Sequence, residues 1–327
     1  MTAEHQPRPR VLSGMRPTGA LHLGHYHGAL KNWVRLQDTH DCFFFVADWH
    51  ALTDRTPERG ELEHNTYDMV VDWLAAGLDP EQCTLFIQSR MPEHAELFTL
   101  LAMSTPVSWL ERVPGYKDQA APSYGQLGYP LLQAADILLY RSAFVPVGED
   151  QSAHVEITRE VARRFNHQYG TAFVEPQALL TETSRVPGLD GRKMSKSLDN
   201  GIAMRAAPEV VAEQVRTMPT DPQRVRLSDP GEPARCPAWA LHEVYTDEAT
   251  RGELAQGCRR ASIGCLDCKQ PLIEAIQKEQ APWRERADEW LADPKRVHWI
   301  LELGTERARA VARKTLREVR TSMGLAY

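Results

Sequence analysis

The chain has no apolar run long enough to cross a bilayer. Its longest, Cys42-Phe43-Phe44-Phe45-Val46-Ala47, is strand-sized against the roughly 20 residues of a spanning helix. Its start, Met1 to Arg10, lacks the apolar core of a secretory signal. Both absences point to a cytoplasmic protein without a membrane partner. Positive charge is not in excess either: 38 Lys and Arg stand against 44 Asp and Glu, a net of −6, which argues against indiscriminate nucleic-acid binding. The deficit is uneven. Residues 1–200 hold 18 Lys/Arg against 25 Asp/Glu, and residues 201–327 hold 20 against 19, so an RNA partner would meet local patches, mostly in the second half. Repeats and low-complexity segments are missing. Cysteine is scarce, six residues in all, yet four fall between 236 and 268.

What is present has the rhythm of an α/β protein. At 327 residues the chain has room for roughly two domains. Val11-Leu12, Cys42–Ala47, Thr84–Ile87 and Ala143–Val147 read as strands. Helical patterns run from about Leu21 to Leu36 and from Leu62 to Ala76, the second stopped by Gly77. Strands alternating with helices imply a parallel sheet. The stretch 104–126, with three prolines and two glycines, breaks the rhythm and reads as an insertion or mobile loop near the site. Beyond about Ile202 strand signals fade, leaving helices joined by Pro-rich connections at Pro219–Pro237 and Pro282. The domain change is therefore placed after Ser197, giving an α/β domain over 1–200 and a helical one over 201–327.

Two motifs carry phosphate chemistry. His22-Leu23-Gly24-His25 sits at a strand–loop–helix junction, where outward-pointing amides attract phosphate. Histidines three apart share a helical face, and Gly24 between them leaves room for a flat base to reach the backbone. Lys193-Met194-Ser195-Lys196-Ser197 follows a Gly-flanked turn, and its ammonium groups can offset charge developing on a polyphosphate. Either motif alone is unremarkable: a His-x-Gly-His on a solvated helix, a basic surface loop. Together, about 170 residues apart at the two ends of the α/β half, they resemble the paired ATP motifs of class I aminoacyl-tRNA synthetases. The resemblance implies a Rossmann-type parallel-sheet catalytic domain, a C-terminal all-helical tRNA-binding domain, and ATP with Mg²⁺ as the substrate complex.

A more specific likeness names the amino acid. Gly128-Tyr129-Pro130-Leu131-Leu132-Gln133-Ala134-Ala135-Asp136-Ile137-Leu138-Leu139-Tyr140 and Val145-Pro146-Val147-Gly148-Glu149-Asp150-Gln151 resemble segments of tryptophanyl-tRNA synthetases, and the similarity spans essentially the whole chain. Asp136 lies in an apolar helical run, where an unpaired carboxylate is costly. An indole N–H is a donor only, so one carboxylate suits it. The ordinary alternative is pairing with Arg141. Carried over residue by residue, the family implies Asp136 on the indole, and Tyr129, His50 and Gln151 toward the amino and carboxylate groups. It implies Arg16, Pro17, Thr18, Gly24, His25, Gly148, Glu149, Asp150, Val186 and the Lys193–Ser197 loop on ATP, with His22, His25, Lys193 and Lys196 catalytic. Departures occur where many relatives have Gln for Arg16, Met for Gln133, Phe for Leu12, and a Thr/Asn pair for His22 and His25. The competing readings are a tyrosyl enzyme and a non-charging, RNA-binding relative that kept the fold.

Cys236, Cys258, Cys265 and Cys268 are separated by 21, 6 and 2 residues. Such a set can hold tetrahedral zinc or a 4Fe-4S cluster, and spacing alone slightly favours zinc. Resemblance to a subset of bacterial tryptophanyl-tRNA synthetases with an iron–sulfur cluster in the tRNA-binding domain, shared also by the Gly14–Gly19 loop, implies 4Fe-4S. Arg259, Arg260 and Lys269 beside the cysteines then suggest a basic, RNA-facing loop. On the last helix Arg309, Arg313, Arg317 and Arg320 share a face that is either a second RNA patch or an ordinary solvated surface. The family also implies a homodimer and tRNA(Trp) as partner.

Overall fold

The computed structural model describes residues 8–53, 56–113, 116, 122–148, 152–170, 173–180 and 186–327. Its centre is a parallel sheet of β1 (Arg10–Met15), β2 (Asp41–Val46), β3 (Cys83–Ile87), β4 (Phe144–Val147) and β5 (Gln177–Leu180) in the order β3-β2-β1-β4-β5. The in-register pairing of β1 with β2 and of β2 with β3 covers the near-continuous apolar strands expected of a sheet buried on both faces. The strand order reverses direction between β1 and β4, where α/β proteins open a crevice at the carboxyl ends of their strands.

Helices fill the crossovers. The reading of one helix over 21–36 is revised in detail: α1 (Leu23–His25) passes into a π-helical stretch, Tyr26–Leu30, and then α2 (Lys31–Leu36). Next come α3 (Asp48–Ala51), α4 (Glu61–Ala76), α5 (Pro92–Ala102), α6 (Val107–Leu110), α7 (Tyr124–Leu139) and α8 (Ser152–Tyr169). Ser123 and Gln126 close a reciprocal cap at the start of α7, satisfying two amides that would otherwise be orphaned. The 104–126 stretch thus contributes α6 and the first turn of α7, while its residues 114, 115 and 117–121 lie outside the described residues.

The second half is helical, as its sequence indicates: α9 (Pro208–Thr217), α10 (Pro237–Tyr245), α11 (Glu248–Arg259), α12 (Cys265–Ala292) and α13 (Pro294–Ser322). Pro282 does not interrupt α12, which runs through it and through Pro271. An internal proline costs a helix about 3 kcal/mol, offset here by burial of Leu272, Ile273, Ile276 and Trp283 against α4 and α9.

The core does not divide where the strands stop. One apolar cluster joins β1, β2 and α4 to α9, α10 and α12. A second joins Phe43, Phe45 and Phe86 to Ala308, Ala312, Leu316 and Val319 of α13. α13 returns to the edge strand β3, and a Cβ at Gly304 would lie 1.8 Å from the Leu85 carbonyl oxygen. Covering an edge strand protects its free backbone groups, and only glycine permits this approach. Gly304→Ala is expected to destabilise the protein by about 3 kcal/mol, although alanine is the better helix former. Thermal unfolding measures it; an unchanged or raised Tm would refute the close packing.

No helix among the described residues is long and apolar enough to cross a membrane.

Candidate active site

A cavity of about 740 Å³ opens at the carboxyl ends of β1 and β4, within the range of small-molecule sites. One wall carries Met15 at the end of β1 and Arg16 and Thr18 after it, with His25, Gly28, Ala29 and Asn32 from the helix that follows. The opposite wall carries Tyr129, Gln133 and Asp136 of α7, with His50 and Gly148. The crevice therefore joins the first phosphate motif to the proposed indole reader.

Asp136 is 1% exposed and fully engaged. Its Oδ2 lies 2.7 Å from His50 Nε2 and its Oδ1 2.5 Å from His94 Nδ1. The Gln88 amide straddles both oxygens at 2.9 and 3.0 Å. Gln88 Oε1 accepts from the Trp49 N–H at 3.2 Å, which fixes the amide with its NH2 toward the carboxylate. His94 Nε2 is held 2.7 Å from the Tyr140 hydroxyl. Burial alone would raise the Asp136 pKa, but hydrogen bonds from His50 and His94 outweigh it and hold the carboxyl at about 2. Asp136 is thus an anion at any physiological pH. Arg141 is not its partner: that guanidinium pairs with Glu318.

The two phosphate motifs touch each other. Gly24 N–H lies 3.3 Å from Met194 Sδ, and a Cβ on Gly24 would meet the His22 ring at 2.9 Å and Met194 Cβ at 3.3 Å. The space beside Gly24 is thus filled by the partner motif, not kept open for a base. Leu23 N–H donates to Ile202 O at 3.0 Å and Met204 N–H to Leu21 O at 2.9 Å, stitching the segment after the lysine loop to the one before α1. Asn200, 4% exposed, shapes that loop. Its Oδ1 accepts from Ser195 N–H at 2.8 Å, and its amide donates to Asp190 Oδ1 at 2.8 Å and to Lys193 O at 3.2 Å.

The His22 and His25 rings stand 3.8 Å apart. His25 Nδ1 accepts from the His22 backbone N–H at 3.1 Å, so its proton resides on Nε2. Burial, with Lys196 nearby, lowers His22 to about 4; burial, His22 and Lys196 lower His25 to about 2. Both are neutral donors near pH 7. His22 Nδ1 is buried without a partner. Lys196 Nζ donates to Gly19 O at 2.7 Å and lies 3.3 Å from Thr18 Oγ1. Burial brings its pKa down to about 8, with Asp72 opposing and Arg16 adding to the fall. Lys193 is exposed.

Other sequence-predicted residues are placed less directly. Val186 is buried, and its carbonyl accepts from Met194 N–H at 3.1 Å. Pro17 and the Lys193–Ser197 loop do not wall the cavity. Ser195 and Ser197 bond each other at 2.9 Å. Glu149, Asp150 and Gln151 lie outside the described residues. Sequence reasoning missed Gln88, His94, Asn32 and Asn200. Gln88 follows directly on the buried strand β3, and the place just past a strand's carboxyl end is itself a signal; His94 lies in the first turn of α5. Asn32 Nδ2 is buried on the cavity wall without a hydrogen-bond partner.

Similarity to known proteins follows this geometry. The family model of class I tRNA synthetases for W and Y matches residues 4–279. Tryptophan–tRNA ligase of Ralstonia nicotianae is 51% identical, covering 97% of this chain and 99% of that protein. The chain belongs to the class I tryptophanyl-tRNA synthetases. Tryptophan–tRNA ligase of Thermotoga maritima is 47% identical, over 97% of this chain and 100% of its own. A crystal structure of the Campylobacter jejuni tryptophanyl-tRNA synthetase complexed with ADP and tryptophan is 34% identical. It superposes with a TM-score of 0.88 over 97% of this chain and 100% of that one. The activity that goes with membership is tryptophan–tRNA ligation, of the bacterial kind.

The metal reading of the cysteines finds no support in how their side chains are placed. Cys236, Cys258, Cys265 and Cys268 are free thiols. They are close enough that Cys268 is pushed up to about 12, first by burial and then by the other three. Among the described residues, however, no three His, Cys, Asp or Glu side chains are grouped to hold a metal ion, and the iron–sulfur subset is unsupported. A reduced thiol set has no charge or bond to draw its sulfurs together. Two of the three basic neighbours are also occupied: Arg259 pairs with Glu232 at 2.8 Å, and Lys269, 3% exposed, donates to the Arg216 and Met218 carbonyls. Three of the four arginines on the α13 face likewise have protein partners. Arg313 pairs with Glu93 and Arg320 with Glu96, while Arg309 donates to Arg90 O.

Proposed function

We propose that the cavity activates tryptophan with ATP, and that Asp136 selects the amino acid. The single observation behind the residue assignment is a buried carboxylate held anionic by three donors at the end of a cavity that reaches His25. Gln88 spans both oxygens, so one acceptor position is shared and can pass to an incoming indole N–H. Tyr129, His50 and Gln151 then meet the substrate's amino and carboxylate groups.

The tryptophan carboxylate, already ionised, attacks the α-phosphorus. A carboxyl–phosphate bond forms as the bond to pyrophosphate breaks, without a general base. The work of the protein is positioning and charge stabilisation. His22 Nδ1, the His25 Nε2–H, Lys193 and Lys196 act on the phosphates, and Mg²⁺ enters with the nucleotide. Arg16, Pro17, Thr18, Gly148, Glu149, Asp150, Val186, Met194, Ser195 and Ser197 form the remainder of the nucleotide site, and the Asn32 amide adds a donor. The tRNA(Trp) 3′-terminal adenosine, through its 2′-OH, then attacks the activated carbonyl, and AMP departs. Residues 201–327 form the tRNA-binding part, and the protein acts in the cytoplasm as a homodimer.

ATP–pyrophosphate exchange run with tryptophan and with tyrosine tests this function. Exchange with tryptophan alone is expected. Exchange with tyrosine would make the chain a tyrosyl enzyme, and none with either would make it a non-charging relative.

We also infer that Cys236, Cys258, Cys265 and Cys268 hold a 4Fe-4S centre in preference to zinc, as a structural element with no part in the reaction. Cys236 just ahead of α10, Cys258 in α11 and Cys265 and Cys268 in the first turn of α12 supply four thiols, a donor set of the right chemistry. A brown protein containing iron and sulfide is expected; a colourless protein with zinc or no metal would overturn it.

A further inference from the structure

The π-helical stretch Tyr26–Leu30 separates two jobs within one turn of chain. His25, Gly28, Ala29 and Asn32 face the cavity, whereas Tyr26 and His27 turn to the helical half. The Tyr26 ring lies 4.2 Å from that of Trp283 on α12. His27 Nε2 lies 3.0 Å from Glu279 Oε2 of α12 and 3.0 Å from the Tyr245 hydroxyl that ends α10. The His27 and Glu279 side chains are 7% and 25% exposed, so solvent screens the pair little. Burial and Glu279 raise the Tyr245 hydroxyl above its ordinary value, so it stays protonated. A π insertion adds a residue to the turn and re-aims the side chains beyond it, which is why such turns recur at functional sites.

α12 grips the other side of the motif as well. Gln280, fully buried, donates to Ala203 O at 2.8 Å, and Ala203 pairs with His22 across an antiparallel bridge. Consecutive residues of one helix thus hold the chain on both flanks of His22-Leu23-Gly24-His25. None of His27, Tyr245, Glu279 and Gln280 lines the cavity, so their effect on substrate is indirect.

We infer that His27 is a positioning residue: clamped by Glu279 and Tyr245, it lets the helical half set the placement of His22 and His25 on the nucleotide. This rests on the ligase reading. The clamp acts on the nucleotide end of the cavity and leaves the Asp136 end alone, so loss of it separates the two substrates. A misplacement of about 1 Å at a reacting centre costs on the order of 10²-fold, and a partial one is expected here.

The test is ATP–pyrophosphate exchange on the full chain. His27→Ala is expected to raise the ATP KM about tenfold and lower kcat, with tryptophan KM within twofold of the parent. His27→Gln, which can still donate to Glu279, is expected to recover most of the loss. Glu279→Gln keeps the volume and weakens the clamp, and it carries the test if His27→Ala does not fold. Unchanged ATP kinetics in folded variants would overturn the inference, as would an equal rise in both KM values or failure of His27→Gln to recover more than His27→Ala. Failure of the parent chain to exchange at all would instead overturn the ligase reading.

Discussion

Replacing Asp136 by Asn is expected to lower kcat/KM for tryptophan by about 10³-fold, with ATP KM nearly unchanged. The substitution preserves volume, so packing does not account for the loss. The carboxylate sits among three donors: His50, His94 and the Gln88 amide. An asparagine presents one oxygen and one NH2, and its NH2 would face a neighbouring donor wherever it turned. The site then loses its acceptor for the indole N–H and leaves buried polar groups poorly paired. A site built around such a hydrogen bond discriminates by large factors when it is lost. Since Asp136 is held at about 2, its charge contributes no acid limb to tryptophan binding above about pH 4. Steady-state exchange across pH 5 to 8 measures both effects. A kcat/KM retained within threefold would remove Asp136 from the reading role.

The parts of this site that the sequence displays are the ones whose chemistry conflicts with their surroundings. An aspartate inside Ala-Ala-Asp-Ile-Leu-Leu needs a reason, and the lysine loop and paired histidines carry local spacing. Gln88, His94 and Asn200 carry no such pattern, because each acts through a partner distant in the chain. Four strands were visible from apolar runs; β5 was not, since Gln177-Ala178-Leu179-Leu180 lacks β-branched residues and is largely exposed at the sheet edge. The π turn is invisible for a related reason: periodicity reports which residues share a face, and one inserted residue barely alters it. The arginines of α13 show the limit most plainly. Their spacing gives a polar face, yet only the fold reveals that Glu93 and Glu96 of α5 lie opposite it.

The lysine loop leads to the second large effect. Lys196→Ala is expected to slow tryptophanyl-adenylate formation by 10²- to 10³-fold, about 3 to 4 kcal/mol, without altering tryptophan affinity. Among the described residues its ammonium bonds the Gly19 carbonyl and Thr18 hydroxyl, neutral acceptors that a phosphate oxygen surpasses. Burial lowers its pKa to about 8, and the sign of the pH effect follows. The group is charged below that value and loses its proton above it, so kcat/KM for ATP should decline once the pH passes about 8. A bound polyphosphate stabilises the ammonium and raises its pKa, so kcat at saturating ATP should hold to higher pH. His22 and His25, lowered to about 4 and about 2, remain neutral throughout that range and add no inflection near pH 6. Single-turnover adenylate formation measured from pH 5 to 10 separates these groups. A profile in kcat/KM for ATP that is flat through pH 8 to 10, or one that inflects near 6, would remove Lys196 from this role.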